Sequence, residues 1–293
     1  IDVQSNERIS SETFPSEITS LDSLGPDQVV VGLDSGIVSV LDIKISKRIK
    51  SISFPDRISS LAVIQDSAHR SLAEELMFFK GILAVGTQNG DLYLLDLALD
   101  KAHACRGEMG QGGPGGHHPL GPYFISPGVT TELADLRHSQ PSHLCIHLNQ
   151  DNTTKGGLVI SSLAHIPQLG AVAVGYNSGS WKLVNLNRLH TEFTFSPPPL
   201  SSEPLLPCVG FAFQEPENDP RNHSYLWVMW SQNDIDTEED KKALNTFASI
   251  ELYALNYENK DEVDQYGVLY SGLTSCSKSF GFTLSGDPED TRR

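Results

Sequence analysis

An all-β fold assembled from repeated hairpins is predicted by three features of this sequence: a segment written three times, a shared turn chemistry, and the spacing of the copies. Val30-Val31-Gly32-Leu33-Asp34-Ser35-Gly36 leads into Val40-Leu41-Asp42-Ile43, and Ala84-Val85-Gly86-Thr87-Gln88-Asn89-Gly90 into Leu94-Leu95-Asp96-Leu97. Ala173-Val174-Gly175-Tyr176-Asn177-Ser178-Gly179 leads into Leu183-Val184-Asn185-Leu186. In each copy an apolar run reaches a glycine, a polar turn closes on a second glycine four residues later, and an apolar strand ends in Asp or Asn between aliphatics. Asp34-Ser35-Gly36, Asn89-Gly90 and Ser178-Gly179 supply residues that accept positive φ at a tight reversal, and their β-branched and aliphatic neighbours suit a pleated, half-buried surface. The first glycines, Gly32, Gly86 and Gly175, fall inside strands, which predicts a bulge or a close backbone approach. Hairpins repeated with a terminal pair like the Trp-Asp ending of propeller blades predict radial repetition, a WD-like β-propeller.

The intervals between copies are 54 residues (from 32 to 86) and 89 (from 86 to 175), against about 40–45 for a plain WD-type blade. Residues 101–140 are rich in Gly, Pro and His and show no strand periodicity, so the long interval reads as an insertion rather than a hidden blade.

Taken in order, residues 1–16 form a polar lead-in and residues 17–24 a first strand ahead of the first hairpin. Residues 48–54 alternate enough to make the outer strand of that blade, Pro55-Asp56 turns the chain, and residues 58–64 open the next blade. Residues 67–80 interrupt it, with Ser67 placed to cap a short helix carrying Leu72, Leu76 and Phe79 on one side. The insertion at 100–140 contains Gly110-Gln111-Gly112-Gly113-Pro114-Gly115-Gly116-His117-His118-Pro119, a low-complexity segment. Its adjacent histidines have no third ligand at a defined distance, so no metal site is expected there. Residues 143–148 form a strand with Leu144, Ile146 and Leu148 on one face. Residues 157–166 and 189–195 flank the third hairpin as inner and outer strands, the latter ended by Pro197-Pro198-Pro199. A fourth blade with altered turns follows: strands at 209–213, 225–230 and 247–255, an acidic insertion at 231–246, then strands at 267–273 and 280–284 and a polar tail at 285–293. The expectation is a partial propeller over 17–284, with about four recognisable blades of a ring that needs more.

At 293 residues the chain can bury a large core as one all-β domain. Its longest apolar runs are too short to span a bilayer as a helix. With 21 Lys and Arg against 37 Asp and Glu, the formal charge of −16 opposes a phosphate backbone. The densest basic run, Lys44, Lys47, Arg48 and Lys50, reads as the solvated side of one strand and its turn. Cys105, Cys145, Cys208 and Cys276 are far apart and lack zinc-finger spacing, which favours reduced thiols over disulfides. Asp42, Asp96 and Asn185 sit in register at strand ends, where they fix turns. No Gly-x-Ser-x-Gly elbow, His-Glu-x-x-His or P-loop occurs. A non-catalytic chain without cofactor, metal or small-molecule substrate is expected.

The most individual stretch is Gln214-Glu215-Pro216-Glu217-Asn218-Asp219-Pro220-Arg221-Asn222. Two prolines fix φ, Asn and Asp cap turns, and Arg221 can pair with Glu217 or Asp219, making a rigid polar surface loop. It is either a self-bonded turn closing its blade or an interaction surface.

Phe211-Ala212-Phe213 followed by that stretch and by Tyr225-Leu226-Trp227 resembles the amino-terminal propeller of the ELYS nucleoporin family, whose members are also called AT-hook-containing transcription factors. The resemblance extends over residues 41–63, Leu94-Leu95-Asp96-Leu97 with Leu99-Asp100, His143-Leu144-Cys145, residues 161–186, and Leu269-Tyr270 through Leu273. It spans nearly the whole chain. It implies the central part of a seven-bladed propeller, which in the family precedes a helical domain and a disordered tail whose AT-hooks contact chromatin. It further implies docking on nucleoporins of the Y-shaped scaffold subcomplex, support of nuclear pore assembly on chromatin after mitosis, and a place at the nuclear envelope and at kinetochores. Glu215, Pro216, Glu217, Asn218, Asp219, Pro220, Arg221 and Asn222 are the candidate contacts. No Arg-Gly-Arg-Pro hook is present, so chromatin would be reached mainly through regions absent from this chain. The insertions around 67–80 and 110–119 depart from the family pattern. The competing reading is a WD-type adaptor in another assembly, such as a ubiquitin ligase receptor or a trafficking coat.

Overall fold

Each repeated hairpin forms because its turn can close. Gly36, Gly90 and Gly179 adopt φ of 78°, 80° and 79°, and each donates its N–H to the carbonyl three residues back, on Leu33, Thr87 and Tyr176. A side chain would be strained at these positions, which is why the second glycine of the repeat is kept.

The computed structural model describes residues 11–64, 82–96, 123–125, 143–148, 158–186, 188–196, 206–214, 223–231, 249–256 and 263–270. These residues build four sheets. Blade one is β1 (Ile18–Ser23), β2 (Gln28–Leu33), β3 (Ile37–Asp42) and β4 (Lys47–Ser53). Blade two is β5 (Ile58–Ile64), β6 (Ile82–Thr87), β7 (Asp91–Asp96) and β9 (His143–His147), with the short β8 (Tyr123–Ile125) parallel to β9 at its edge. Blade three is β10 (Ile160–Ile166), β11 (Ala171–Tyr176), β12 (Trp181–Asn185) and β13 (His190–Phe195). Blade four is β14 (Cys208–Gln214), β15 (His223–Trp230), β16 (Ser249–Asn256) and β17 (Val263–Tyr270). Every blade is an antiparallel meander. The first strands pack in succession, β1 on β5, β5 on β10 and β10 on β14, which is the arrangement of consecutive propeller blades.

One joint is used three times. The first strand of each blade carries a register irregularity near its start, at Ile18/Ser20, Ile58/Ser60, Ile160/Ser162 and Cys208/Gly210. Opposite the serine stands the in-strand glycine: Ser20 faces Gly32, Ser60 faces Gly86, and Ser162 faces Gly175. A Cβ on Gly32 would lie 2.7 Å from Ile58 Cγ2, one on Gly86 would lie 2.6 Å from Ile160 Cγ2, and one on Gly175 would lie 2.7 Å from Cys208 Sγ. The glycine of one blade is therefore the socket for the first residue of the next, and both halves of the sequence expectation hold. The close approach is on the glycine strand and the bulge is on its partner. In blade four the pattern is inverted, with Gly210 on the first strand facing Met229.

Side chains and backbone lock the joints further. Ser20 Oγ and Asp22 Oδ2 on β1 accept hydrogen bonds from Leu61 N (3.0 Å) and Val63 N (2.6 Å) on β5. Ser161 Oγ and Ser162 Oγ donate to Cys208 O at 2.6 and 2.8 Å. Between blades three and four Trp181 packs among Phe193, Phe211 and Tyr253, while Trp230 Nε1 donates to Gly179 O at 2.8 Å.

Against the expectations, the strand starting at 58 is placed to the residue, and the others shift by a few positions at their ends. The strand expected at 267–273 begins earlier, at Val263. β8 lies inside the stretch expected to lack strands; three residues are too short to show a period, yet Tyr123-Phe124-Ile125 is a run of strong strand formers that pairs with β9. The helix expected at 67–80 and the strand expected at 280–284 fall outside the described residues. Neither Cys145 nor Cys208 is in a disulfide, and both are buried.

Candidate docking face and polar cluster

Because each blade is a meander and the joint repeats in one orientation, the connections sort onto two faces. Those after the first and third strands leave one end of the sheets, and those after the second and fourth strands leave the other. The strand ends that bound residues 65–81 and 97–142 in blade two and 215–222 in blade four lie at the first face. Glu215, Pro216, Glu217, Asn218, Asp219, Pro220, Arg221 and Asn222 lie outside the described residues. Their flanking strands are described, with Gln214 opposite Tyr225 in the ladder.

On that face blade one presents the turn joining β3 to β4. Asp42 Oδ1 accepts from Lys44 N at 2.9 Å and Ile45 N at 3.2 Å, and Ile43 N donates to Asp27 O at 2.8 Å. The corresponding turn of blade three uses Asn185, whose Oδ1 accepts from Arg188 N at 2.9 Å. So two of the three register residues fix turns as expected; the Asp96 side chain is outside the described set. The turn leaves Ile43 and Ile45 exposed beside Ile49. Their basic neighbours are engaged: Lys44 Nζ pairs with Asp27 at 2.6 Å, and Arg48 meets Glu12 at 3.0 Å and stands 5.0 Å above the Phe14 ring. The basic run is a solvated edge with apolar residues among the charges.

The opposite face holds a cluster that sequence reading missed. Asp91 is the cross-strand partner of His147, and Tyr93 of Cys145, so all four side chains share one side of the β7–β9 pair. Asp91 Oδ1 lies 2.7 Å from His147 Nδ1, and the ligand atoms of Asp91, Cys145 and His147 all lie within 4.8 Å of one another. Cys145 is fully buried, whereas the Asp91 and His147 side chains are 20% and 40% exposed. The hydrogen bond that His147 donates to Asp91 raises the His147 pKa against the opposing cost of burial. Burial raises the Tyr93 phenol, which is also hydrogen-bonded to Cys145. Nearby, burial and then the Asp91 charge raise Asp56, whose Oδ1 accepts from Asn89 Nδ2 at 2.6 Å. The one legible signal was Cys145-Ile146-His147, two ligand types on one strand face, but its partner Asp91 is separated from it by the long insertion.

Four meander blades linked by a glycine socket, with their first strands packed in series, define a β-propeller. The chain belongs to the ELYS nucleoporin β-propeller family: the family described as the beta-propeller of ELYS nucleoporin matches residues 24–290. It is 29% identical over 269 residues to protein ELYS of Homo sapiens, covering 88% of this chain and 11% of the human protein. It is 26% identical over 266 residues to protein ELYS of Xenopus laevis, covering 88% of this chain and 10% of the frog protein. The chain thus spans about a tenth of the length of these curated relatives. Among the described residues no helix is long and apolar enough to cross a membrane.

Proposed function

We propose that this nucleoporin-type propeller is a non-catalytic docking module, which helps an ELYS-like protein join the Y-shaped pore subcomplex and supports pore assembly on chromatin after mitosis. The observation that carries the reading is the family match over residues 24–290. Its place is the nucleus and nuclear envelope, with the kinetochore as a mitotic site. Chromatin is reached mainly by segments outside this chain, since the acidic balance of 37 Asp and Glu against 21 Lys and Arg repels a phosphate backbone. The docking domain comprises residues 17–284.

The contact we assign is residues 215–222. It joins β14 to β15 on the face that also receives the connections at 65–81 and 97–142, and a loop with two prolines loses little entropy on binding. Replacing 215–222 with a Gly/Ser linker in the intact propeller and measuring retention of purified pore scaffold subcomplex, with nucleosomes in parallel, tests both parts. Scaffold binding lost on replacement, with unchanged circular dichroism and melting, supports the reading. Scaffold binding that persists removes the loop assignment. Binding to nucleosomes alone overturns the scaffold reading.

A further inference from the structure

We propose that Asp91, Cys145 and His147 form a zinc site that staples β7 to β9. The site is independent of the docking reading and lies on the opposite face of the propeller. Asp91 and His147 are directly opposed residues, and Cys145 stands two positions before His147 on the same strand, so strand pleat alone aims the three side chains to one side. The backbone that places them is fixed by hydrogen bonds on both strands. The three donor atoms already lie within 4.8 Å of one another, needing only a small inward adjustment to surround an ion with Zn–N near about 2.0 Å and Zn–S near about 2.3 Å.

The donor set selects the ion. A thiolate, an imidazole nitrogen and a carboxylate oxygen match zinc, whereas magnesium and calcium take oxygen ligands. Cys145 supplies the buried end of the site, and the half-exposed His147 supplies the side through which an ion enters. Tyr93, hydrogen-bonded to Cys145, is placed to steady the sulfur as the outer partner that such ligands usually have. Asp56 and Asp91 bring two carboxylates to a neighbourhood that also holds His147, hydrogen-bonded to Asp91, and the Lys182 ammonium, which donates to Leu148 O. Binding would release the Cys145 thiol proton, and the His147 proton where present, to solvent.

The location gives the site a use. β7 and β9 are adjacent in the sheet, but the chain between them runs through residues 97–142, and closing a connection of that length costs entropy. A metal at the end of the pair remote from that connection would hold the ladder closed.

The test uses the whole chain stripped with a chelator, then titrated with zinc against a colorimetric competitor and, separately, with cobalt. The expected result is one equivalent of zinc, a cobalt complex with a thiolate charge-transfer band, and a melting temperature raised by zinc. Cys145→Ser should abolish the band. Because Cys145 is buried and its replacement can disturb folding, His147→Gln is the second variant: its circular dichroism should be unchanged, and its zinc affinity at least tenfold weaker. Absence of stoichiometric zinc at micromolar concentration, a cobalt spectrum without the thiolate band, or zinc binding that survives both substitutions would each overturn the proposal.

Discussion

The contacts around the glycine socket fix the sign of a substitution there. In Gly86→Ala the new Cβ would stand 2.6 Å from Ile160 Cγ2, 3.0 Å from Ile160 Cβ and 3.4 Å from Ile160 Cδ1, where carbon atoms prefer about 3.5–4.0 Å. Ile160 cannot swing aside. It is fully buried within a cluster that includes Leu92, Val172, Val174 and Tyr176, and its branched Cβ restricts χ1. Overpacking of this kind costs about 1–3 kcal/mol. Against it runs the gain of about 0.5–1 kcal/mol from replacing glycine in a strand interior where φ is not positive. The net expectation is a loss of about 1–2 kcal/mol, measured by urea unfolding of the intact propeller at constant m-value.

Ile160→Ala supplies the control. It removes Cγ2 and Cδ1, the contacts at 2.6 and 3.4 Å, and keeps Cβ at 3.0 Å, and alone it costs about 2–5 kcal/mol as a core truncation. With room made for the added methyl, the double variant should cost less than the two singles together, by a coupling of about 1–2 kcal/mol. A Gly86→Ala chain as stable as the parent, or singles that add to within about 0.5 kcal/mol, would refute the socket as a steric device.

Other outcomes follow from the same structure. Trp230→Phe removes the donor to Gly179 O and should cost about 1–3 kcal/mol by leaving that carbonyl unpaired, read by the same unfolding assay. Ser162→Ala removes one of two donors to Cys208 O; since Ser161 still serves the carbonyl, the loss should fall near about 1 kcal/mol. Two histidines should place the metal-free stability maximum near their ordinary value of 6.5. Burial lowers His165 to about 4, so its neutral form stabilises the fold above 6.5 and that contribution is lost as pH falls towards 4, on the order of 3 kcal/mol. His147 is raised by Asp91, so its contribution is complete below 6.5 and is lost as pH rises through the raised value. Unfolding across pH should therefore show the acid limb flattened in His165→Leu and the alkaline limb flattened in His147→Gln; identical profiles in all three chains would exclude both assignments. If the 17–284 segment depends on blades beyond it, the isolated chain should aggregate or fold partially through exposed sheet edges; a monomeric preparation that unfolds cooperatively would contradict that.

What the sequence disclosed was what is local. Gly36, Gly90 and Gly179 announce their turns because positive φ is a property of one residue, and Ile58 opens its strand where the Pro55-Asp56 turn ends. The socket was half visible: an in-strand glycine signals a close approach, but its knobs, Ile58, Ile160 and Cys208, are named only once blades are set side by side. Blade four concealed the same joint because Met229 and Gly210 exchange sides, so a search for the glycine on the second strand passes over it. The Asp91–His147 pair was illegible because its register spans an insertion whose length no local rule constrains.

The distribution of connections follows from what the joints need. At the sheet ends opposite those that bound residues 215–222, one backbone hydrogen bond recurs in each of the four described blades, from the residue after the second strand to the residue before the first: Asp34 N to Glu17 O, Gln88 N to Arg57 O, Asn177 N to Val159 O and Ser231 N to Pro207 O, at 2.9 to 3.1 Å. Contacts between blades gather there too, in Arg57 against Asp34 at 2.5 Å, Asn89 against Asp56, and Trp230 against Gly179 O. Lengthening a turn on this face would disturb the second-strand glycine and the first residue of the next blade, which meet beside it. On the other face blades one and three tie the turns between their third and fourth strands with Ile43 N to Asp27 O and Leu186 N to Gly170 O; the equivalent positions of blade two, 97 and 81, lie outside the described residues. The long connection at 232–248 is the exception, and it leaves the blade whose socket glycine has become Met229. A propeller built this way can vary the loops of one face while its joints stay fixed, which is the physical condition for presenting a docking surface on a rigid frame.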